Sequence, residues 1–172
     1  MQHFTMERLD TPTGRMLIVS DNAGRLSAVD WEDHAERMRR LLRRYHGLDM
    51  ASLTAAAVRS AAARALLRYF AGDLAALADL ACAAGGTEFQ NRVWSALRRI
   101  APGRTTHYGA LAAKLQQPTA ARAVGLANGA NPIAIVIPCH RVIGADGSLT
   151  GYGGGIERKR WLLAHEQAHM EA

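Results

Sequence analysis

Carboxylates are missing from the middle of this chain. Between Glu88 and Asp146 there is none, while Arg92, Arg98, Arg99, Arg104, Lys114, Arg122 and Arg141 all fall there. Cations without counter-charges favour a polyanionic partner. Cysteine is nearly absent: Cys82 and Cys139 stand alone, which excludes a disulfide framework and any two-cysteine zinc spacing. No apolar run approaches the ~20 residues of a membrane span, and Met1 to Arg8 hold no signal-peptide core. These absences predict a cytoplasmic protein without metal or membrane partner. The 172 residues carry a formal net charge of +6. Residues 1–86 hold 11 Lys and Arg against 10 Asp and Glu, and residues 87–172 hold 10 against 5, so the second half is the basic one.

Punctuation along the chain predicts two parts. Turn clusters stand at Thr11–Gly14 and Asp21–Gly24, with short strands expected between and after them at Met16–Ser20 and Leu26–Trp31. Asp33 then opens a charged helix to about Tyr45. A second helix is expected from Ala55 to Ala71, with Val58, Ala62, Leu66, Tyr69 and Phe70 on its apolar face. Residues 1–82 thus read as an N-terminal domain and 83–86, Ala-Ala-Gly-Gly, as a linker to a domain over 87–172.

In the second domain Thr87 and Gln90 form a capping-box signal for a helix that Pro102-Gly103 has ended. Tyr108–Leu115 and about Ala120–Asn128, the latter capped by Thr119, then suggest a helix-turn-helix. Ala120, Ala121, Ala123, Gly125, Ala127 and Gly129 surround a single cation, Arg122. Small side chains let a backbone approach a groove closely, with one arginine placed to insert. Glu157 to about His169 reads as a terminal helix with Trp161, Leu162 and Leu163 in the core and Arg158, Lys159 and Arg160 on the surface.

Chemistry concentrates at Ile133 to Val142. Five apolar residues, Ile133–Ile137, read as a strand buried on both faces. Pro138 then fixes φ for a turn opened by Cys139, beside His140 and Arg141. Free backbone N–H groups and neighbouring cations at such a turn favour thiolate over thiol. Cys82, in an alanine-rich stretch, reads as an inert small hydrophobe.

Pro138-Cys139-His140-Arg141-Val142, together with Phe89-Gln90, Val93-Trp94, Tyr108-Gly109, Ala121 to Gly125, Asn128, Asn131-Pro132, Gly151-Tyr152, Gly154-Gly155 and Trp161 to Leu163, resembles the O6-alkylguanine-DNA alkyltransferases. The similarity runs from about Thr87 to Glu166. It implies an α/β (α+β) fold: a small ribonuclease-H-like sheet-and-helix domain, then a mostly helical domain with a helix-turn-helix and the active-site cysteine. The implied partner is double-stranded DNA carrying O6-alkylguanine, with O4-alkylthymine a second substrate. The nucleotide is flipped from the duplex and its alkyl group passes irreversibly to Cys139 without any cofactor. The resemblance assigns His140 as base through water, Glu166 as its orienting carboxylate, Asn131 as brace of the turn and Tyr108 as donor to guanine N3. It gives DNA contacts to Arg122, Tyr108, Thr119, Ala121, Ala123, Gly125 and Asn128. The alkyl and base pocket falls to Tyr152, Gly153, Gly154, Val142 and Pro138. Gly153 stands where some relatives have serine, so a backbone N–H replaces that side-chain bond to guanine O6. The implied state is a monomer, cooperative on DNA and nucleoid-associated when bound.

Two other readings use some of the same residues. A non-catalytic sensor of alkylated DNA would keep Arg122 and Tyr108 and lack the cysteine. A cysteine hydrolase would also pair Cys139 with His140, and would turn over.

Overall fold

A computed structural model describes residues 3–170. The chain forms two compact units: one runs to Gly85 and takes in Pro132–Val136, and the other comprises Gly86–Asn131 and the chain from Ile137 onward. The boundary glycines are sterically required. A Cβ on Gly86, at φ 81°, would sit 2.6 Å from the Trp94 ring, so Gly86 is a packing position as well as a spacer.

The first unit is built on a sheet of order β3-β2-β1-β4. Strands β1 (Phe4–Thr11), β2 (Gly14–Asp21) and β3 (Leu26–Trp31) are antiparallel neighbours, while the two-residue β4 (Thr54–Ala55) lies parallel to β1. Strand β1 has no counterpart in the sequence reading because its residues are mostly half-buried and mix charge with apolar groups. Helix α1 (Ala35–His46) packs Met38 and Leu42 against Leu17, Val19 and Ala28. Helix α2 spans Ala61–Phe70, shorter than expected, because Ser60 caps it and Thr54–Ala55 joins the sheet. Val58, expected on the helix face, lies before it and is 79% exposed.

The run Ile133–Ile137 is a turn, which corrects the expected strand. Only Ile133 pairs, in a parallel bridge to Val29, with Val29 N–H donating to Pro132 O and Ala134 N–H to Val29 O. Ile135 then takes φ 70° and Val136 N–H closes on Ala134 O at 2.8 Å. Positive φ in a β-branched residue is strained and persists only where its surroundings over-determine it; Ile135 is buried. Burial made the run apolar, and apolarity alone does not separate a buried turn from a buried strand. The residues Ala81–Ala83 pair with Leu26 along the same strand, so β3 presents no long open edge.

The second unit is mostly helical. Helix α3 (Glu88–Arg98) opens with both halves of the Thr87–Gln90 capping box. Helix α4 (Tyr108–Lys114) and helix α5 (Ala121–Gly129) are joined by a tight turn in which Gln116 takes φ 60°. Thr119 does not cap α5. Its N-cap is Ala120, without a side-chain bond. The short parallel pair β5 (Thr106–His107) and β6 (Val142–Ile143) joins the chain before α4 to the chain after the cysteine. Helix α6 (Ile156–Ala168) closes the unit.

Candidate active site

Cys139 sits between two clamped carbonyls. Pro138, at φ −83° and ψ 65°, makes a three-residue turn in which Cys139 N–H donates to Ile137 O at 2.8 Å. Asn131 Nδ2 donates to that same Ile137 carbonyl at 2.7 Å, and Asn128 Nδ2 reaches the Cys139 carbonyl at 3.4 Å. One 3-10 turn, Cys139–Arg141, follows. A single turn supplies little helix dipole, so charge at the thiol must come from side chains.

Those side chains differ from the expected ones. His140, fully buried, has its pKa pushed below the ordinary value by desolvation, against the opposing pull of Glu166. Burial raises the Glu166 pKa, but the hydrogen bonds from His140 and Arg141 and the charge of the Arg141 guanidinium outweigh it and hold the carboxylate ionised. His140 Nε2 lies 2.7 Å from Glu166 Oε2. A neutral imidazole beside a carboxylate carries its proton on the facing nitrogen. Nδ1 is therefore left as the acceptor, buried and without a protein hydrogen-bond partner. Arg141 forks onto Glu166 through Nε and Nη2, each at 2.9 Å, and its Nη1 donates to Ile100 O at 2.7 Å. Its hydrogen bonds thus go to Glu166 and to the Ile100 carbonyl.

One cation that interacts electrostatically with Cys139 is Lys159. Expected on the surface, Lys159 is fully buried in α6. Its Nζ donates to Val142 O at 2.7 Å and Thr150 O at 2.9 Å, and it is electrostatically coupled to Cys139. Desolvation lowers its pKa, and the coupling to Cys139 raises it. The signal was present in the spacing: Ile156, Lys159, Leu162 and Glu166 follow one another at intervals of a helical face. A lysine on the same face as a core leucine and a buried carboxylate reads as buried once that face is drawn.

Around this centre lie the remaining site residues. The Tyr108 hydroxyl is 3.3 Å from Thr150 Oγ1, and its ring runs alongside Gly125, where a Cβ would stand 3.7 Å from it. Arg122, Ala123 and Thr119 are exposed, and Ala121 and Gly125 are half-buried. Asn128 departs from the expected groove contact: it is buried and points at the cysteine turn. Val142 and Pro138 are buried beside Cys139 in sequence, with the Val142 carbonyl taken by Lys159. The stretch Gly151–Gly155 is irregular, with Tyr152 half-buried, Gly153 exposed and Gly154 buried, its carbonyl accepting from Arg158. Cys82 is half-buried in the other unit. Among the described residues, no helix is long and apolar enough to cross a membrane and no cluster of His, Cys, Asp or Glu could hold a metal ion.

Helices α4 and α5 form a helix-turn-helix in a unit that buries a cysteine among oriented polar groups, the arrangement of a DNA-binding domain. Residues 88–168 match the family described as 6-O-methylguanine DNA methyltransferase, DNA binding domain. The methylated-DNA–protein-cysteine methyltransferase of Salmonella typhimurium (strain LT2) is 52% identical over 163 residues, covering 93% of this chain and 94% of that protein. The crystal structure of Mycobacterium tuberculosis O6-methylguanine methyltransferase is similar at 41% identity, covering 100% of this chain and 96% of that one with a TM-score of 0.78. A structure of Mycobacterium tuberculosis OGT in complex with DNA matches at 40% identity, 99% and 96% coverage and a TM-score of 0.80. The chain belongs to the methylated-DNA–protein-cysteine methyltransferase family.

Proposed function

We propose that the protein repairs DNA by direct reversal, taking the alkyl group of O6-alkylguanine, and of O4-alkylthymine, onto Cys139. The observation that carries this reading is the oriented set around the thiol: a neutral His140 fixed by Glu166, with Nδ1 free to accept, and the Lys159 charge coupled to Cys139. A thiol that loses its proton to His140 Nδ1 through one water, beside a cation, is an activated nucleophile with an oriented base. The Cys139 sulfur attacks the alkyl carbon, the carbon–O6 bond breaks, and its electron pair stays on the guanine. Tyr108 supplies a proton at guanine N3 as that charge develops; the proton held by His140 returns through water to the Tyr108 phenolate, and the N3 proton exchanges through solvent to N1. The products are a thioether on Cys139 and unmodified guanine, with no external redox partner or cofactor in the balance.

The alkyl carbon of a stacked base is out of a protein's reach, so the nucleotide rotates out of the duplex. Helix α5 enters the minor groove and Arg122, exposed at its start, fills the vacated space. Pro138, Val142 and the Tyr152–Gly154 stretch form the pocket, with the Gly153 N–H toward O6. The protein works as a monomer in the cytoplasm, associating with the nucleoid and cooperatively with DNA.

The test is a duplex carrying one O6-methylguanine labelled in its methyl group. Label on Cys139 supports the reading, binding without transfer supports a sensor, and continuing release of label into solution supports a hydrolase.

A further inference from the structure

Helix α5 has one exposed bulky apolar residue. Leu126 is 73% exposed, and with Val58 of the other unit it makes up the exposed large hydrophobics among the described residues. The inward face of α5 is taken by Val124, Ala127 and Asn128, and Gly125 is turned to the Tyr108 ring. The solvent-facing stripe is therefore Arg122, Ala123, Leu126 and Gly129. Arg122 and Leu126, four residues apart, share one side of the helix. Everything else on that stripe is a methyl group or a hydrogen atom, so any groove admitting α5 closely meets Leu126 first after Arg122.

We infer that Leu126 is a specificity-determining contact, an apolar wedge in the DNA minor groove that disfavours a G·C pair about two pairs from the lesion. The inference rests on the docking of α5 proposed above. That occupant is favoured by charge: α5 lies within the carboxylate-free stretch between Glu88 and Asp146 and carries Arg122 beside the leucine. In the minor groove A·T and T·A pairs offer only acceptors, while a G·C pair projects the guanine N2 amino group. A leucine side chain neither accepts from that amine nor leaves water to do so, and it is displaced by its bulk. Against an A·T pair the same side chain packs on sugar and groove floor, as apolar minor-groove wedges do. Between Arg122 and Leu126 the helix rises ~6 Å, the height of about two base pairs. The bias should centre about two pairs from the extruded nucleotide.

The experiment measures second-order transfer rates on duplexes with one O6-methylguanine, in which each of the three pairs on either side is in turn A·T, G·C or inosine·C. Inosine lacks only the N2 amine. At the sensitive pair the wild-type rate with G·C should fall about tenfold below that with A·T, equivalent to about 1.4 kcal/mol, while inosine·C behaves as A·T. Leu126→Ala should bring the A·T to G·C ratio close to one, and Leu126→Met should keep the bias. Because the ratios are compared between proteins on the same duplexes, the weaker pairing of inosine·C cancels. Thermal melting of the two variants should match wild type, since the site is exposed. A wild type indifferent to G·C, or a bias that survives in Leu126→Ala, overturns the inference while leaving transfer to Cys139 intact. Absence of transfer on every duplex overturns the parent reading and this one with it.

Discussion

His140 Nε2 and Glu166 Oε2 are 2.7 Å apart with both side chains fully excluded from solvent. The same carboxylate receives the Arg141 fork, so Glu166 holds the His140 imidazole in one tautomer and neutralises a buried guanidinium at once.

Glu166→Gln should therefore destabilise the fold and slow transfer together. Removing one partner of a buried ion pair leaves the other charge uncompensated and costs about 3–5 kcal/mol. Urea denaturation should show that loss, and a double variant Arg141→Met/Glu166→Gln should recover part of it. Equal stability of Glu166→Gln and wild type would contradict the ion pairing described here.

Stability should also fall on mild acidification. His140 has a folded pKa below its unfolded value of about 6.5, because burial disfavours its charged form. Below that unfolded value the unfolded chain binds the proton and the folded one does not, so stability is lost as pH drops. Glu166, with its folded pKa depressed, adds a second loss as pH falls below about 4.3. Melting temperature followed from pH 7.5 downward should decline first in the histidine range. A His140→Asn variant should lose that first decline and keep the second.

Lys159→Met should reduce Cys139 reactivity while leaving the position apolar. It removes the buried cation coupled to the thiol and leaves the Val142 and Thr150 carbonyls without their donor. The pH midpoint for alkylation of Cys139 by iodoacetamide should move upward, since a nearby ammonium favours thiolate. Lys159→Arg, which keeps charge but not size, should shift it less. An unchanged midpoint in Lys159→Met would remove the lysine from this role.

The helices of the second unit were legible because each carries its own signals: a capping box at Thr87 and Gln90, turn residues around Pro118, and a terminal face through Leu162. The cysteine turn was legible from Pro138. What escaped is what only tertiary packing decides. Ile133–Ile137 has the composition of a strand and the geometry of a turn, since burial selects apolar residues in either. Lys159 looked like surface charge between two arginines, and only the partners at Val142 and Thr150 show why burial is tolerated. Arg141 forks onto Glu166 twenty-five positions away, a distance no local pattern reveals.

The most direct test of the account is the stoichiometry of transfer. Nothing described near Cys139 would cleave a thioether, so repaired guanine should rise to one equivalent per active protein and stop, however long the incubation and however large the excess of substrate. Mass spectrometry should place one alkyl group on the peptide containing Cys139, and Cys139→Ala should bind the duplex without taking up label. Several equivalents of guanine repaired per protein molecule, or label retained by Cys139→Ala, would contradict it.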